Sequence, residues 1–303
     1  MKRVLAIAVV MCLTSVLAVA DEPAGGLRYS VTVSKFENRA GWHGQWDIGD
    51  AWGTVLTDML NQTGKFIVLG ETDMRYEAMA EQDLAASGRT ATGGKAPATG
   101  QLTPAQLLVK GAITHVQHDT GGGGGGIRIK GFKVGGKGGK GEVNATIYVV
   151  DSTTGQVLAS TNVVGTSTNK GALVGYSSYD WGASFGGHKN DNVGLAVQDA
   201  CAEAVKFIEG QLPNVAWTGS VVMVKGDKVY VNRGSREGVA AGQTFRVGQV
   251  EVIRDPDTGE VLDEDMTEIA QIRAAEVKEK LSICEVTSGN AANLQKGMAI
   301  HPF

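Results

Sequence analysis

The sequence predicts an α+β protein, in which an N-terminal α/β domain with two glycine-rich hairpin extensions is followed by a small all-β C-terminal domain. Three observations predict it. Up to residue 212, apolar runs of period two alternate with amphipathic segments of helical period. After Pro213 the texture changes to short strands separated by turn residues. Within the first part lie two glycine-rich stretches, 121–141 and 170–187; the 303-residue chain holds 43 glycines, about twice the roughly 7% of average usage.

A hydrophobic content of 42% with 20% charged residues is enough for a packed core, which excludes wholesale disorder, and no Gly-X-Y period points to collagen. The chain begins with Lys2 and Arg3, continues with an apolar run from Val4 to Leu17 and reaches small residues at Ala18 and Ala20. This is the pattern of a cleaved signal peptide over residues 1–20, the run being shorter than the roughly 20 residues a spanning helix needs. The remaining chain has 26 basic against 32 acidic groups, which argues against a nucleic-acid binder. Cys12 leaves with the leader. Cys201 and Cys284 are too few and too far apart to form a disulfide framework, and whether they pair is open.

The elements follow in order. Leu27 to Phe36 alternates Tyr29, Val31 and Val33 with polar neighbours and predicts a strand. Ile48 to Gln62 places Ile48, Trp52, Val55, Leu56, Met59 and Leu60 on one helical stripe, with Gly64 as the C-terminal stop. Phe66 to Leu69 predicts a short buried strand. Thr72 can cap a second helix with Met74, Ala78, Met79 and Leu84 on its apolar side. The stretch from Arg89 to Gln101 reads as a loop, and Thr103-Pro104 as the start of a helical turn before a strand from Leu108 to Gln117. Val143 to Val150 and Gln156 to Val164 predict strands joined by a tight Asp151–Gly155 turn, and Asn192 to Leu212 a helix with Val197, Cys201, Ala204, Val205 and Ile208 inward. The boundary then falls at 213–217. Beyond it, Val221 to Lys225, Lys228 to Asn232, Thr244 to Ile253, Ile269 to Val277 and Ser282 to Val286 predict the strands of a small barrel or sandwich over 214–303.

Motifs of catalysis or cofactor binding are weak. Gly131 to Gly138 nearly spells a phosphate loop, but Gly138 stands where a hydroxyl residue should ligate Mg²⁺, and no helix pattern follows. His115 and His118 would point to opposite faces of a strand and cannot share a metal. The carboxylates of Asp255 to Glu260 read as a hairpin turn rather than a calcium loop. The expectation is therefore a non-enzyme with no cofactor and no metal.

The glycine-rich stretches remain. Residues 121–141 contain 12 glycines, and Arg128, Lys130, Lys133, Lys137 and Lys140 follow one another without an intervening acid. Ile127 and Ile129 alternate, then Phe132 and Val134 alternate on the opposite parity, as a bulge at Gly131 would permit. In the second stretch Ala172, Val174 and Tyr176 alternate, and Tyr179, Trp181, Ala183 and Phe185 alternate back. Two readings are open: membrane hairpins lent to an oligomeric barrel, with Ile127, Ile129, Phe132, Val134, Tyr176, Tyr179, Trp181 and Phe185 among their strand residues, or a soluble arm whose five cations dock on anionic envelope surfaces.

The ordered runs SVTVSKFENR, GDAWGTVLTDMLNQTGKFIVLGETDMRYEAMAEQDLAASG, LLVKGAITHVQ and ATIYVVDSTTGQVLASTNVVG, spanning about residues 28–212, resemble the family of the curli production assembly/transport component CsgG. The resemblance implies a periplasmic α/β domain that oligomerises into a ring, each subunit lending two hairpins, here about 119–145 and 165–188, to an outer-membrane barrel. It also implies a pore constriction in Ala40 to Asp47, with Trp42, His43, Gln45 and Trp46 able to line it. The implied function is a channel or scaffold for export of surface polymers by a Gram-negative bacterium, with other envelope or surface-appendage proteins as partners and no nucleic acid. Two departures stand out: secretion-channel members carry a lipidated N-terminal cysteine, for which this chain has no signal, and this chain has an extra C-terminal domain. Its run TGSVVMVKGDKVYVNRGSREGVAAGQTFRV resembles the C-terminal domain of flagellar assembly protein T, a periplasmic structural component.

Overall fold

The computed structural model describes residues 26–44, 46–91, 93, 96–118, 140–167 and 192–303. Its first part contains β1 (Tyr29–Val33), β2 (Glu37–Asn38), α1 (Ile48–Gln62), β3 (Phe66–Val68), α2 (Thr72–Ala86), β4 (Leu107–His118), β5 (Gly141–Asp151), β6 (Val157–Thr166) and α3 (Asn192–Gln211). The strands form one mixed sheet in the order β3-β1-β4-β5-β6, with β2 also on β4. The β1 strand runs parallel to β3 and β4, while β4, β5 and β6 form an antiparallel meander.

The α1 and α3 helices cover one face of this sheet. All six stripe residues of α1 are buried, and Trp52 stacks on Phe36 at 5.2 Å between ring centroids. At roughly 1.5–3 kcal/mol for each large apolar side chain removed from water, this stripe is a principal reason the helix forms. Asp47 starts α1 by accepting bonds from the Gly49 and Asp50 amides, and Gly64, at φ +67, follows the C-cap Thr63. The inward face of α3 is buried as its periodicity predicts.

A short 3-10 turn at Leu212–Asn214 leads to β7 (Gly219–Lys225), β8 (Lys228–Val231), β9 (Thr244–Arg254), β10 (Val261–Val277), β11 (Ser282–Gly289) and β12 (Ala299–Pro302). These close into a six-stranded barrel in the order β10-β11-β8-β7-β12-β9. Its core includes Val221, Val229, Val231, Phe245, Val247, Ile272 and Ile300, with Trp217 stacked on Phe245 at 5.5 Å. Cys284 lies in this core and Cys201 in the other, and both are free thiols. Two hairpins use one turn chemistry: Asp151 and Asp255 each accept from the amides two and three residues on, and Gly155 and Gly259 close the turns at positive φ.

Several elements differ from their sequence reading. The first strand is shorter than Leu27 to Phe36. Thr103-Pro104 starts no helix; the Thr103 carbonyl instead accepts a bond from Arg75 at 3.0 Å. Thr72 is the first helical residue of α2 rather than its cap, and its hydroxyl is engaged with Ser34 Oγ at 2.9 Å. The apolar side assigned to α2 is not inward: none of its residues is buried, and Met74, Met79 and Leu84 are exposed. The β10 strand starts at Val261, because Gln249–Arg254 and Val261–Thr267 pair with each other as an arm beyond the barrel wall. The β12 strand, four residues behind a turn, was not marked by alternation.

Candidate functional site at one end of the sheet

Strand direction organises the first domain. The Arg28 amide donates to the Glu237 carbonyl at 2.9 Å, and Leu27 and Tyr29 pack on the barrel core, so β1 starts at the barrel and runs away from it. The β4 strand is parallel to β1 and ends at His118, paired with Gly141 at the start of β5; Glu142 pairs in turn with Thr166 at the end of β6. The two glycine-rich segments, 119–139 and 168–191, therefore connect to the described fold at the same end of the sheet. The β2 strand is also parallel to β4, and Arg39 N–H bonds the Ile113 carbonyl at 2.9 Å, which brings the loop after Asn38 to that end as well.

That loop is built rather than loose. Asn38 holds Trp42 by two bonds: its Nδ2 donates to the Trp42 carbonyl at 2.7 Å, and its Oδ1 accepts from the Trp42 amide at 3.3 Å. The Trp42 ring lies 4.8 Å from that of Trp46, tilted by 56°, and both are half-buried against the core. Gly44 lets the Trp42 indole lie against the loop backbone, because a Cβ there would overlap the ring as it is placed. His43 is exposed. Lys35 Nζ contacts Asp47 at 3.0 Å and Asp50 at 2.6 Å, tying the end of the loop to the strand before it. These contacts raise the Lys35 pKa, chiefly through the hydrogen bonds it donates to Asp50 and then to Asp47. Burial by itself would lift the Asp47 carboxyl, but the Asp50 amide and Lys35 hold it below the ordinary carboxylate range.

Of the residues singled out in the sequence, the structure brings Trp42 and Trp46 together and leaves His43 in solvent. Gln45 lies outside the described residues, as do Ile127, Arg128, Ile129, Lys130, Phe132, Lys133, Val134, Lys137, Tyr176, Tyr179, Trp181 and Phe185. Lys140 is described and half-exposed beside the start of β5. Both His115 and His118 are exposed on β4, and among the described residues no group of three or more His, Cys, Asp and Glu side chains could hold a metal. No helix among the described residues is long and apolar enough to cross a membrane.

Residues missed by sequence reasoning are also at this end. A Cβ on Gly141 would meet the Asn192 carbonyl at 2.2 Å, and one on Gly165 the Ala196 carbonyl at 2.0 Å, so these two glycines seat the first turns of α3. The Thr166 amide donates to the buried Asp199 carboxylate at 2.8 Å. Glycines among so many others gave no distinguishing signal.

The model of the curli production assembly/transport component CsgG matches residues 14–242. The chain belongs to the CsgG family. The match extends past the sheet domain into β7 and β8, beyond the 28–212 span recognised from motifs. Membership assigns the chain to a class of envelope assembly and transport components. No curated protein matches by sequence. Solved structures similar to this CsgG-family chain include a hypothetical protein from Chlamydia trachomatis, at 14% identity and TM-score 0.35, covering 60% of this chain and 96% of that one. The PelC dodecamer from Paraburkholderia phytofirmans matches at 15% identity and TM-score 0.32, covering 61% and 90%. A lipoprotein from Neisseria meningitidis matches at 14% identity and TM-score 0.28, covering 62% and 99%.

Proposed function

We propose that this chain is an exported, non-enzymatic ring subunit at the outer membrane, acting as a conduit or scaffold for export of surface polymers. Residues 1–20 are its signal peptide, 21–213 the ring-forming domain and 214–303 a periplasmic barrel like that of flagellar assembly protein T. The hairpins lent to a shared barrel fall in the expected segments 119–145 and 165–188, less Gly141–Ala145 and Gly165–Thr166, which pair within the sheet of this domain. The loop from Ala40 to Asp47 narrows the passage, with Trp42, His43, Gln45 and Trp46 toward it, so that selectivity comes from width and lining chemistry.

The observation that carries this reading is the convergence of three segments: the loop and both glycine-rich connections meet the sheet at one end, and the barrel meets it at the other. A subunit that contributes hairpins to a membrane needs both to leave in one direction, while its soluble part stays clear of the bilayer. The first connection joins the antiparallel neighbours β4 and β5 and the second joins β6 to α3, so both meet the described fold at that end.

Fractionation of the native envelope tests it, with a salt wash before detergent extraction and particle size read in detergent. A particle of many subunits that resists salt and requires detergent is expected. Release as a monomer by salt or osmotic shock would overturn the proposal and favour a soluble factor held through Arg128, Lys130, Lys133, Lys137 and Lys140, since attraction of that kind weakens as ionic strength rises.

A further inference from the structure

Resting on the ring reading, we infer that adjacent subunits meet through two specific surfaces of the sheet domain, the free edge and open face at β6 on one copy and the α2 helix on the next. Fifteen large hydrophobic side chains are exposed among the described residues, and eight of them fall on these surfaces. Met74, Tyr76, Met79 and Leu84 are on α2, and Tyr148, Val157, Leu158 and Val164 are on β5 and β6.

The two surfaces lie at opposite edges of one sheet. The β6 strand is one terminal strand; the other is β3, and α2 begins at Thr72, just past its end. A ring closed by rotation needs this arrangement, because each subunit must present two different, mutually complementary patches.

Each surface is also incomplete within its own chain. The α2 helix has 15 residues, none of them buried. An isolated helix of that length is marginal in water and draws most of its stability from packing, so a covering partner supplies what its own domain does not. The β6 strand is a ten-residue edge strand, VLASTNVVGT, without a charge or a proline, and its single register irregularity lies at Leu158 near its start, leaving Ala159 to Thr166 regular. Natural edges of that length are normally blunted by lysine, proline or a bulge against pairing with another chain. The charges do not repel across this contact. Asp73, Glu77, Glu81 and Asp83 outnumber Arg75 on α2, while β6 is uncharged and the face beside it carries the exposed Lys110 of β4, in register with Tyr148 of β5, and the half-buried Glu142 of β5.

The test mixes two versions of the full chain that each carry one added cysteine, Val164→Cys on β6 and Met79→Cys on α2, and oxidises them after assembly. Both sites are about half exposed, and Cys201 and Cys284 are buried and silent. Cross-links between the two variants, absent within either variant alone, are the expected result. Leu158→Asp or Met79→Asp should each reduce the assembly to folded monomer with an unchanged circular-dichroism spectrum, while Val222→Asp on the barrel should leave it intact. Cross-links within one variant would mean a symmetric contact and overturn the inference. A large particle that forms without the mixed cross-link and survives both Asp substitutions would overturn the inference while the ring reading stands. Absence of any large particle from the unsubstituted chain would remove the ring reading itself.

Discussion

Gly165→Ala is the sharpest test of how α3 is held. The added Cβ would lie 2.0 Å from the Ala196 carbonyl, 2.4 Å from the Ala200 nitrogen and 2.7 Å from the Ala200 Cβ. Two of these are helix backbone atoms, so no rotamer change relieves the overlap and α3 must lift off β6. Overpacking of this kind costs about 1–3 kcal/mol, and the rigid backbone contact puts the substitution at the upper end. For a chain this size roughly 2–4 °C of melting temperature accompanies each kcal/mol, so Gly165→Ala should melt about 5–10 °C below the parent by calorimetry or circular dichroism. Gly210→Ala, in the last turns of the same helix, is the matched control. A Cβ there meets nothing within 4 Å, and replacing a helical glycine by alanine should stabilise by roughly 0.5–1 kcal/mol. Equal melting temperatures for Gly165→Ala and the parent would refute the seating of α3 on β6.

Three further outcomes follow from local chemistry. Burial raises the Glu71 pKa, with Asp73 and Asp50 adding to the effect and the Thr54 hydroxyl opposing it. The folded state therefore binds a proton more tightly than the unfolded one, and stability is lost as pH rises from the ordinary 4.5 through the raised value. Glu71→Gln should be more stable than the parent at pH 7, with the difference closing below about pH 4.5; a gap that persists in acid would point to packing instead. Asp47→Ala removes the α1 cap at about 0.5–2 kcal/mol near neutral pH. Because the Asp47 pKa is lowered, that stabilisation is present above the ordinary 3.8 and fades as pH falls through the lowered value, so denaturant titrations of Asp47→Ala and parent should converge in acid. Finally, a thiol reagent should find no reactive cysteine in the folded, leaderless chain and two after unfolding, since burial pushes Cys284 to about 12 and Cys201 well above its ordinary value; no thiol in the unfolded chain would reveal a disulfide.

The parts of the fold legible in the sequence were those whose period agreed with their burial. The α1 helix runs over Ile48–Gln62 as its stripe predicts, and β4, β5, β6 and α3 fall within a residue or two of their expected ends. The α2 helix misled because Met74, Met79 and Leu84 look like a core-facing set, yet the intramolecular core closes without them. Burial within one chain is the wrong reference for a surface that another copy can cover. The β10 strand misled for the opposite reason: Val261 to Glu268 is acidic and exposed, so it lacks the half-buried alternation by which strands are recognised, and only its partner β9 holds it. Of the candidate site, the Trp42–Trp46 pair was visible as composition, whereas the clamp of Lys35 on Asp47 and Asp50 depends on a strand end and a helix start meeting in space.

The C-terminal barrel bears on the site through the same strand geometry. Tyr29 packs against both cores, and the Arg28 amide is bonded to the barrel, so the barrel continues the start of β1 instead of hanging from the turn at Leu212–Asn214 alone. Gly238, at φ +81, enforces that contact, because a Cβ there would lie 2.3 Å from the Gly26 carbonyl. A domain fixed at the start of β1 sits at the end of the sheet opposite the Trp42 loop. It can be added to the sheet domain without obstructing that end. One strand end thus carries the loop and the glycine-rich connections, and the other carries the barrel.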